Sequence, residues 1–485
     1  MSPQPEQYDV VVLGAGSTGE NLADRARAAG LSTVVVESQL AGGECSYWAC
    51  MPSKALLRPP SALAHAHALA GAKQAVSGSL DVAAVLARRD EFTSHWHDDS
   101  QVDWLRDSGI DLVRGHGRLA GERAVLVDGE RLLTARHAVA VCTGSRPHLP
   151  DVPGLAEAHP WTSRDATSSA RVPSRFAVVG GGVVAVEMAT AWRSLGSEVT
   201  LLVRGPGLLP RMEPFAGELV AEALTEAGVD IRFDTEVTEL HRSGPIVELH
   251  RSGPVTLALG GGDRLEADEV LYATGRAPRT DDIGLESVGL SPGSWLEVDD
   301  SCTVRGVAGG WLYAAGDVNH RALMTHQGKY QARIAGAAIG ARARGEQLDT
   351  QRWGAHSASA DTAGPPQVVF TEPEAASVGM TLRQAERAGL RVRAVDHDLG
   401  KVAGASLYAD GYRGQARVLV DLDRGLLVGA TFVGPSVAEL LHSATVAVVG
   451  EVPVDRLWHA VPSYPTISEV WLRLLEGCRD ATAAR

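Results

Sequence analysis

A chain of 485 residues is too long for one ordinary hydrophobic core and predicts roughly three units of about 150 residues each. Lys plus Arg number 45 against 59 Asp plus Glu, a net charge of −14, so the summed field repels nucleic acid and anionic membrane and leaves small molecules as the expected partners. The polar start lacks the pattern of a secretory signal, no apolar run is long enough to span a bilayer, and the five cysteines are too few for a disulfide scaffold. A cytoplasmic protein is expected, in which any disulfide is chemical rather than structural.

An apolar run of β-formers at 8–13 leads into Gly14-Ala15-Gly16-Ser17-Thr18-Gly19 and then an Ala/Arg-rich stretch to Ala29. This predicts strand, glycine turn and helix. Gly30 caps the helix, 31–36 forms the next strand, and Glu37, 18 positions after Gly19, stands where an acid meets a ribose. Glycines at 14, 16 and 19 let the backbone approach a pyrophosphate, whose charge the helix N-terminus favours. Strand, spacing and acid together favour a dinucleotide site over a plain tight turn.

The segment Gly42-Gly43-Glu44-Cys45-Ser46-Tyr47-Trp48-Ala49-Cys50-Met51-Pro52-Ser53-Lys54 is the most specific signal. On a regular helix, residues five apart are separated by about 7.5 Å along the axis, beyond the usual disulfide Cα range of about 4.4–6.8 Å. A bonded pair here must therefore straddle an irregular helix start. Pro52 suits a first turn, where the helix N-terminus lowers a nearby thiol pKa. The alternative is two buried free cysteines. The pairs His65/His67 and His95/His97 point to different helix faces, and no carboxylate or thiol completes a set, so no metal site is expected.

A second unit opens with a strand at 176–179 and continues Gly180-Gly181-Gly182-Val183-Val184-Ala185, with Ala in the third small position, so two nucleotides are expected. The strand at 198–203 ends in Arg204 rather than an acid, and Arg211 follows in a Gly/Pro-rich loop. Two cations there suit a 2′-phosphate and predict NADPH over NADH; solvated surface arginines are the bland alternative. The units end alike: Val141-Cys142-Thr143-Gly144-Ser145-Arg146-Pro147 recurs approximately as Tyr272-Ala273-Thr274-Gly275-Arg276-Ala277-Pro278. Because Trp311-Leu312-Tyr313-Ala314-Ala315-Gly316-Asp317 follows the second exit, the chain is expected to return to the first domain, leaving the second as an insertion.

The stretch 342–366, rich in Gly, Ala, Ser and Arg, predicts a linker. Alternation at 416–420 and 426–433 predicts sheet strands in a third domain. Cys142, Cys302 and Cys478 are expected to pack as small hydrophobes.

On the cysteine motif, the paired glycine turns and the third-domain opening Gln367-Val368-Val369-Phe370-Thr371-Glu372-Pro373-Glu374-Ala375-Ala376-Ser377-Val378-Gly379, nearly the whole chain resembles the pyridine nucleotide–disulfide oxidoreductases, the group of dihydrolipoamide dehydrogenase, glutathione reductase and mercuric reductase. The resemblance implies an α/β flavoenzyme with two Rossmann-like domains, for FAD and NADPH, and a C-terminal α+β dimerisation domain. FAD would occupy 1–153 and 274–345, the nicotinamide nucleotide 154–273, and the interface domain 346–485. A redox-active disulfide Cys45–Cys50 is implied, with Cys50 facing the flavin as a charge-transfer thiolate and Cys45 exchanging with the acceptor. Lys54 would approach flavin N5 and pair with Glu187; Asp317 would hold the ribityl chain; Thr143, Gly144 and Gly275 would line the cofactor sites. Val183 stands where many relatives carry an aromatic gate. A homodimer is implied, each active site being completed by the partner's C-terminal segment.

That segment, Val461-Pro462-Ser463-Tyr464-Pro465-Thr466-Ile467-Ser468-Glu469, departs from the disulfide reductases, which place His where Tyr464 stands, oriented by an acid matching Glu469. An imidazole titrates near neutrality, whereas a phenol titrates near about 10 and serves as a neutral donor. Mercuric reductases resemble this chain in carrying Tyr near this position, but their extra C-terminal cysteine pair is absent. His459 and His442 are the substitute bases to weigh against ordinary surface or packing histidines. The expected activity is electron transfer from NADPH to a small acceptor, a disulfide, a quinone or a metal ion. Dihydrolipoamide dehydrogenase is the leading alternative, against which Arg204 argues, since that enzyme uses NAD. A flavin-based redox sensor or assembly subunit is the alternative of another class.

Overall fold

Alternation in the first apolar run accounts for its burial on both faces. In the strand Glu6–Leu13, Val10 and Val12 pack on the side that holds Leu22, Ala23 and Ala26, while Val11 and Leu13 face Val34, Val36 and Leu133. In the computed structural model, which describes residues 6–244, 246–247, 250–251 and 253–483, the chain divides into two units. One comprises the chain up to Pro52 with Asp90–His148 and Gly275–Thr362; the other comprises Ser53–Arg89, Leu149–Thr274 and the chain from Ala363.

The first unit is built on a seven-stranded sheet in the order Asp111–Arg114, Thr33–Glu37, Glu6–Leu13, Arg131–Val141, Ala124–Val127 and Gly117–Leu119, with Leu312–Ala314 added in parallel to Arg131–Val141. The chain thus returns to its first sheet after residue 311. The two exit repeats pair with each other, Ser145–Pro147 running antiparallel to Arg276–Pro278. Helices Ser17–Ala28 and Thr325–Ala343 approach through a four-residue stripe of small side chains: a Cβ on Gly328 would meet Thr18 Oγ1 at 2.4 Å, and one on Gly336 would meet Arg25 Cβ at 2.7 Å. That close approach fixes where the second of these helices begins, which matters for the site.

The stretch 342–366 corrects the expectation of a linker. The helix Thr325–Ala343 covers its start, and Asp361, with a side chain 0% exposed, is bound by Arg321 at 3.1 Å, Gln327 at 3.0 Å and Gln331 at 2.9 Å. A loop composition does not reveal that one carboxylate is held by three partners.

The second unit contains a parallel sheet of Asp230–Arg232, Glu198–Leu202, Arg175–Val179 and Glu269–Tyr272, and a three-stranded antiparallel sheet of Val237–Arg242, Val255–Leu259 and Arg264–Ala267. Its five-stranded antiparallel sheet runs Gln367–Val369, Glu374–Gly379, Leu426–Gly434, Gln415–Asp421 and Val392–Asp398. Trp161, Phe176 and Trp192, buried with ring centroids 5.5–6.0 Å apart, anchor one core, and Cys478 lies in another with Phe432 and Trp471. Among the described residues, no helix is long and apolar enough to cross a membrane.

Candidate active site

The backbone breaks between the two cysteines, as their spacing requires. Cys45 lies in the short helix Gly43–Tyr47, Trp48 leaves helical geometry at φ −137°, and Cys50 opens the helix Cys50–His67, with Pro52 in its first turn. Gly42, at φ +100°, and Gly43, at φ +65°, take conformations that a side chain disfavours, and a Cβ on Gly43 would lie 2.6 Å from Gly16 Cα. The first nucleotide turn and the glycine pair ahead of Cys45 therefore interlock, through a bridge between Gly16 and Gly42. Trp96 Nε1 donates to the Tyr47 carbonyl at 3.1 Å and pins the far end of the short helix.

Cys45 and Cys50 are unbonded thiols in hydrogen-bond contact. That contact, with burial second, pushes the Cys45 thiol far above the ordinary thiol range; Thr325 and the charge of Lys329 oppose the shift. Thr325 Oγ1 lies 3.2 Å from Cys50 Sγ. Thr325 is also the first residue of the 19-residue helix Thr325–Ala343, whose positive end favours charge on sulfur. The arrangement favours the neutral form of Cys45 and sets Cys50 against a hydroxyl at a helix N-terminus. Sequence reasoning missed Thr325 and Lys329; nothing local links them to a cysteine 275 positions away.

The residues of the first unit fit a flavin nucleotide. Glu37 is held at the mouth of the glycine turn by the amides of Ala15 and Gln39, each at 2.8 Å. Thr143 Oγ1 is buried without a hydrogen-bond partner among the described residues, and beside it Gly144, at φ +72°, has no described atom within 4 Å of where a Cβ would stand. An unsatisfied buried hydroxyl next to a glycine cradle is what a bound polar group would complete. Asp317, raised above the usual carboxylate range by burial, accepts from Ser145 Oγ at 2.5 Å.

In the second unit, Gly180 sits at φ +135° and would drive a Cβ to 2.5 Å from the Ala273 carbonyl, whereas Gly182, capping the helix Val183–Ser194, faces open space. Arg204 and Arg211 are exposed after the strand Glu198–Leu202. Lys54 Nζ lies 2.7 Å from Glu187 Oε2, whose side chain is 4% exposed. Glu187 Oε1 accepts from the Phe370 amide at 3.0 Å, and the Phe370 ring lies under the ammonium at 5.0 Å. Phe370 is a third residue that the sequence did not mark as part of a site.

Residues 8–334 match the family model for pyridine nucleotide-disulphide oxidoreductases and 365–474 match the dimerisation domain of the same family. The chain belongs to this family. Its members are FAD-dependent and use a pyridine nucleotide. The chain is 29% identical to a mercuric reductase of Staphylococcus aureus over 95% of its own length and 81% of that enzyme's. It is 30% identical to a dihydrolipoyl dehydrogenase of Thermus scotoductus over 95% of both. In fold it is similar to the HOCl-induced flavoprotein disulfide reductase of Escherichia coli, with a TM-score of 0.80, 23% identity, and 97% and 99% of the two chains covered.

The C-terminal segment that carries Tyr464 lies in the second unit. Tyr464 is 75% exposed. The turn that carries it is seated on Gly404, where a Cβ would meet the Thr466 backbone at 2.1 Å. Glu469 Oε2 is buried and unpartnered among the described residues, so Tyr464 and Glu469 are not brought together. His442 and His459 are both exposed. Among the described residues, no three metal-ligating side chains gather. Cys142 and Cys478 are buried, and burial pushes each thiol up to about 12.

Proposed function

We propose that the chain is an FAD-dependent NADPH reductase that delivers an electron pair to Cys45 and Cys50 and, from Cys45, to a small disulfide, quinone or metal ion. The observation that carries this reading is the cysteine pair in mutual contact across a helix break, with Thr325 and a helix N-terminus on Cys50. Gly14, Gly16, Gly19, Glu37, Thr143, Gly144, Gly275 and Asp317 would hold FAD in domain segments 1–153 and 274–345. Gly180, Gly182, Arg204 and Arg211 would hold NADPH in 154–273. Residues 346–485 would join two copies in a cytoplasmic homodimer, as the match to a dimerisation domain supports.

FAD, when bound, supplies a two-electron relay between the nicotinamide and the sulfurs. When the disulfide opens, the one proton taken up rests on Cys45, which burial and its neighbour keep neutral, while Cys50 keeps the charge beside Thr325. Glu187 fixes the Lys54 ammonium, and the Phe370 ring and amide hold the pair in place. For the second half-reaction Cys45 must shed its proton. A phenol is a poorer proton acceptor than an imidazole, so Tyr464 of the partner subunit, placed at this site, would favour acceptors that need little proton traffic. The exposure of Tyr464 supports its use by a second copy.

Anaerobic NADPH followed by alkylation tests the relay: two cysteines, at 45 and 50, should become labelled, and Cys50→Ser should lower acceptor turnover about a thousandfold. Flavin reduction without any labelling would sink the reading. A panel of disulfides, quinones, metal ions and dihydrolipoamide identifies the acceptor class. Turnover with none of them would favour the sensor.

A further inference from the structure

Glu44, the residue immediately ahead of Cys45, turns its carboxylate onto two arginines of the second exit repeat. Arg276 Nη2 lies 3.1 Å from one oxygen and Arg279 Nη2 lies 3.3 Å from the other. The three side chains are only 16%, 23% and 31% exposed, so water screens them less than it does an ordinary surface pair. The network continues inward. Arg276 Nε donates to Ser145 Oγ at 2.8 Å and its Nη2 to the Ser145 carbonyl at 2.9 Å, which also accepts from Arg279 Nε at 3.0 Å. The Ser145 hydroxyl in turn donates to Asp317. A chain of charge-assisted hydrogen bonds therefore runs from the residue beside the exchange thiol to the aspartate at the cofactor site.

The antiparallel pairing of the two exit repeats builds this network, since it sets Arg276 opposite Pro147 and Pro278 opposite Ser145. The network begins one residue before Cys45, and reduction of the pair changes the charge there. Reducing the Cys45–Cys50 disulfide takes two electrons and one proton, breaks the S–S bond and leaves one thiol and one thiolate. The half-buried site gains one negative charge. A fixed cation nearby favours that state and a fixed anion opposes it. Glu44 and Arg279 carry opposite signs on the same network.

We propose, resting on the FAD and disulfide reading above, that Glu44 and Arg279 are opposed positioning residues that set the reduction potential of the Cys45–Cys50 couple. Arg276 and Ser145 tie the pair to the Asp317 end of the cofactor site.

The test uses the FAD-loaded protein equilibrated with graded dithiothreitol buffers at neutral pH, trapped by alkylation and read by mass spectrometry at Cys45 and Cys50. Glu44→Gln should shift the equilibrium toward the dithiol by about tenfold, about 30 mV for a two-electron couple. Arg279→Gln should shift it by a similar factor toward the disulfide. The double variant should return to within about threefold of the parent, because the two charges are lost together. Glu44→Asp, which keeps the sign, should also stay within about threefold and guards against a mere loss of packing. A purely structural role would move both single variants the same way; that result, or no shift in either, overturns the proposal and leaves the proposed function standing. A parent protein whose two cysteines never form a dithiol-reducible pair overturns the proposed function as well.

Discussion

The two glycine turns begin alike and part at their third small residue. Gly14 and Gly180 hold φ values of +97° and +135°, and a Cβ on either would strike a carbonyl, that of Cys142 at 2.6 Å or of Ala273 at 2.5 Å. In the first turn the helix then presses so close that a Cβ on Gly19 would sit 1.9 Å from Gly14 O, whereas the second accommodates Ala185, fully buried. The next residue differs too: Glu20 is buried in the first helix where Val186 is buried in the second. On the rim, Glu37 is locked by the Ala15 amide, while Arg204 stands exposed. The strand-to-helix turn is thus a generic piece, and what packs on its rim and third position specialises it.

The sharpest way to break this comparison is to exchange the third residues. Gly19→Ala forces a Cβ into a backbone carbonyl that cannot move aside, and should cost about 3 kcal/mol or more, at or above ordinary overpacking. Ala185→Gly should cost about 1 kcal/mol. Equal losses in denaturant melts would erase the distinction between the turns.

Glu20 gives the next largest effect. Burial pushes its carboxyl from 4.5 up to about 7, against the opposing charge of Lys329, and Oε1 has no partner among the described residues. The folded chain therefore holds a proton that the unfolded chain has lost, so stability falls as pH rises from the unfolded value through about 7 and levels off above it. Glu20→Gln should abolish that fall and stabilise the protein at pH 8 by about 3 kcal/mol. Urea melts at pH 5 and pH 8 that show no narrowing in the variant would remove Glu20 as the cause.

Smaller effects concern the rims. Arg204→Glu should raise the Michaelis constant for NADPH about 30-fold, about 2 kcal/mol, and change that for NADH little; parallel changes would deny it any reading of the 2′-phosphate. Glu37→Gln replaces a charged acceptor for the Ala15 and Gln39 amides with a neutral one and should weaken FAD retention about tenfold. An unchanged dissociation constant for FAD, measured on reconstituted protein, would show that the lock on the first turn is dispensable.

Much of the fold and part of the site were written locally in the chain. Glycine turns and a proline two residues past Cys50 act through backbone conformation within a few residues, and the acid or arginine after the next strand keeps a fixed offset from its turn, so their spacing is readable from the chain alone. Thr325 beside Cys50, Phe370 on Glu187, the arginines on Glu44 and the anchoring of Asp361 inside a linker-like stretch are pairings between distant segments. Side chains so far apart in sequence meet only because sheet register and the close packing of small-residue helices bring them together. Such proximity is a property of the closed structure, and no local run of residues encodes it.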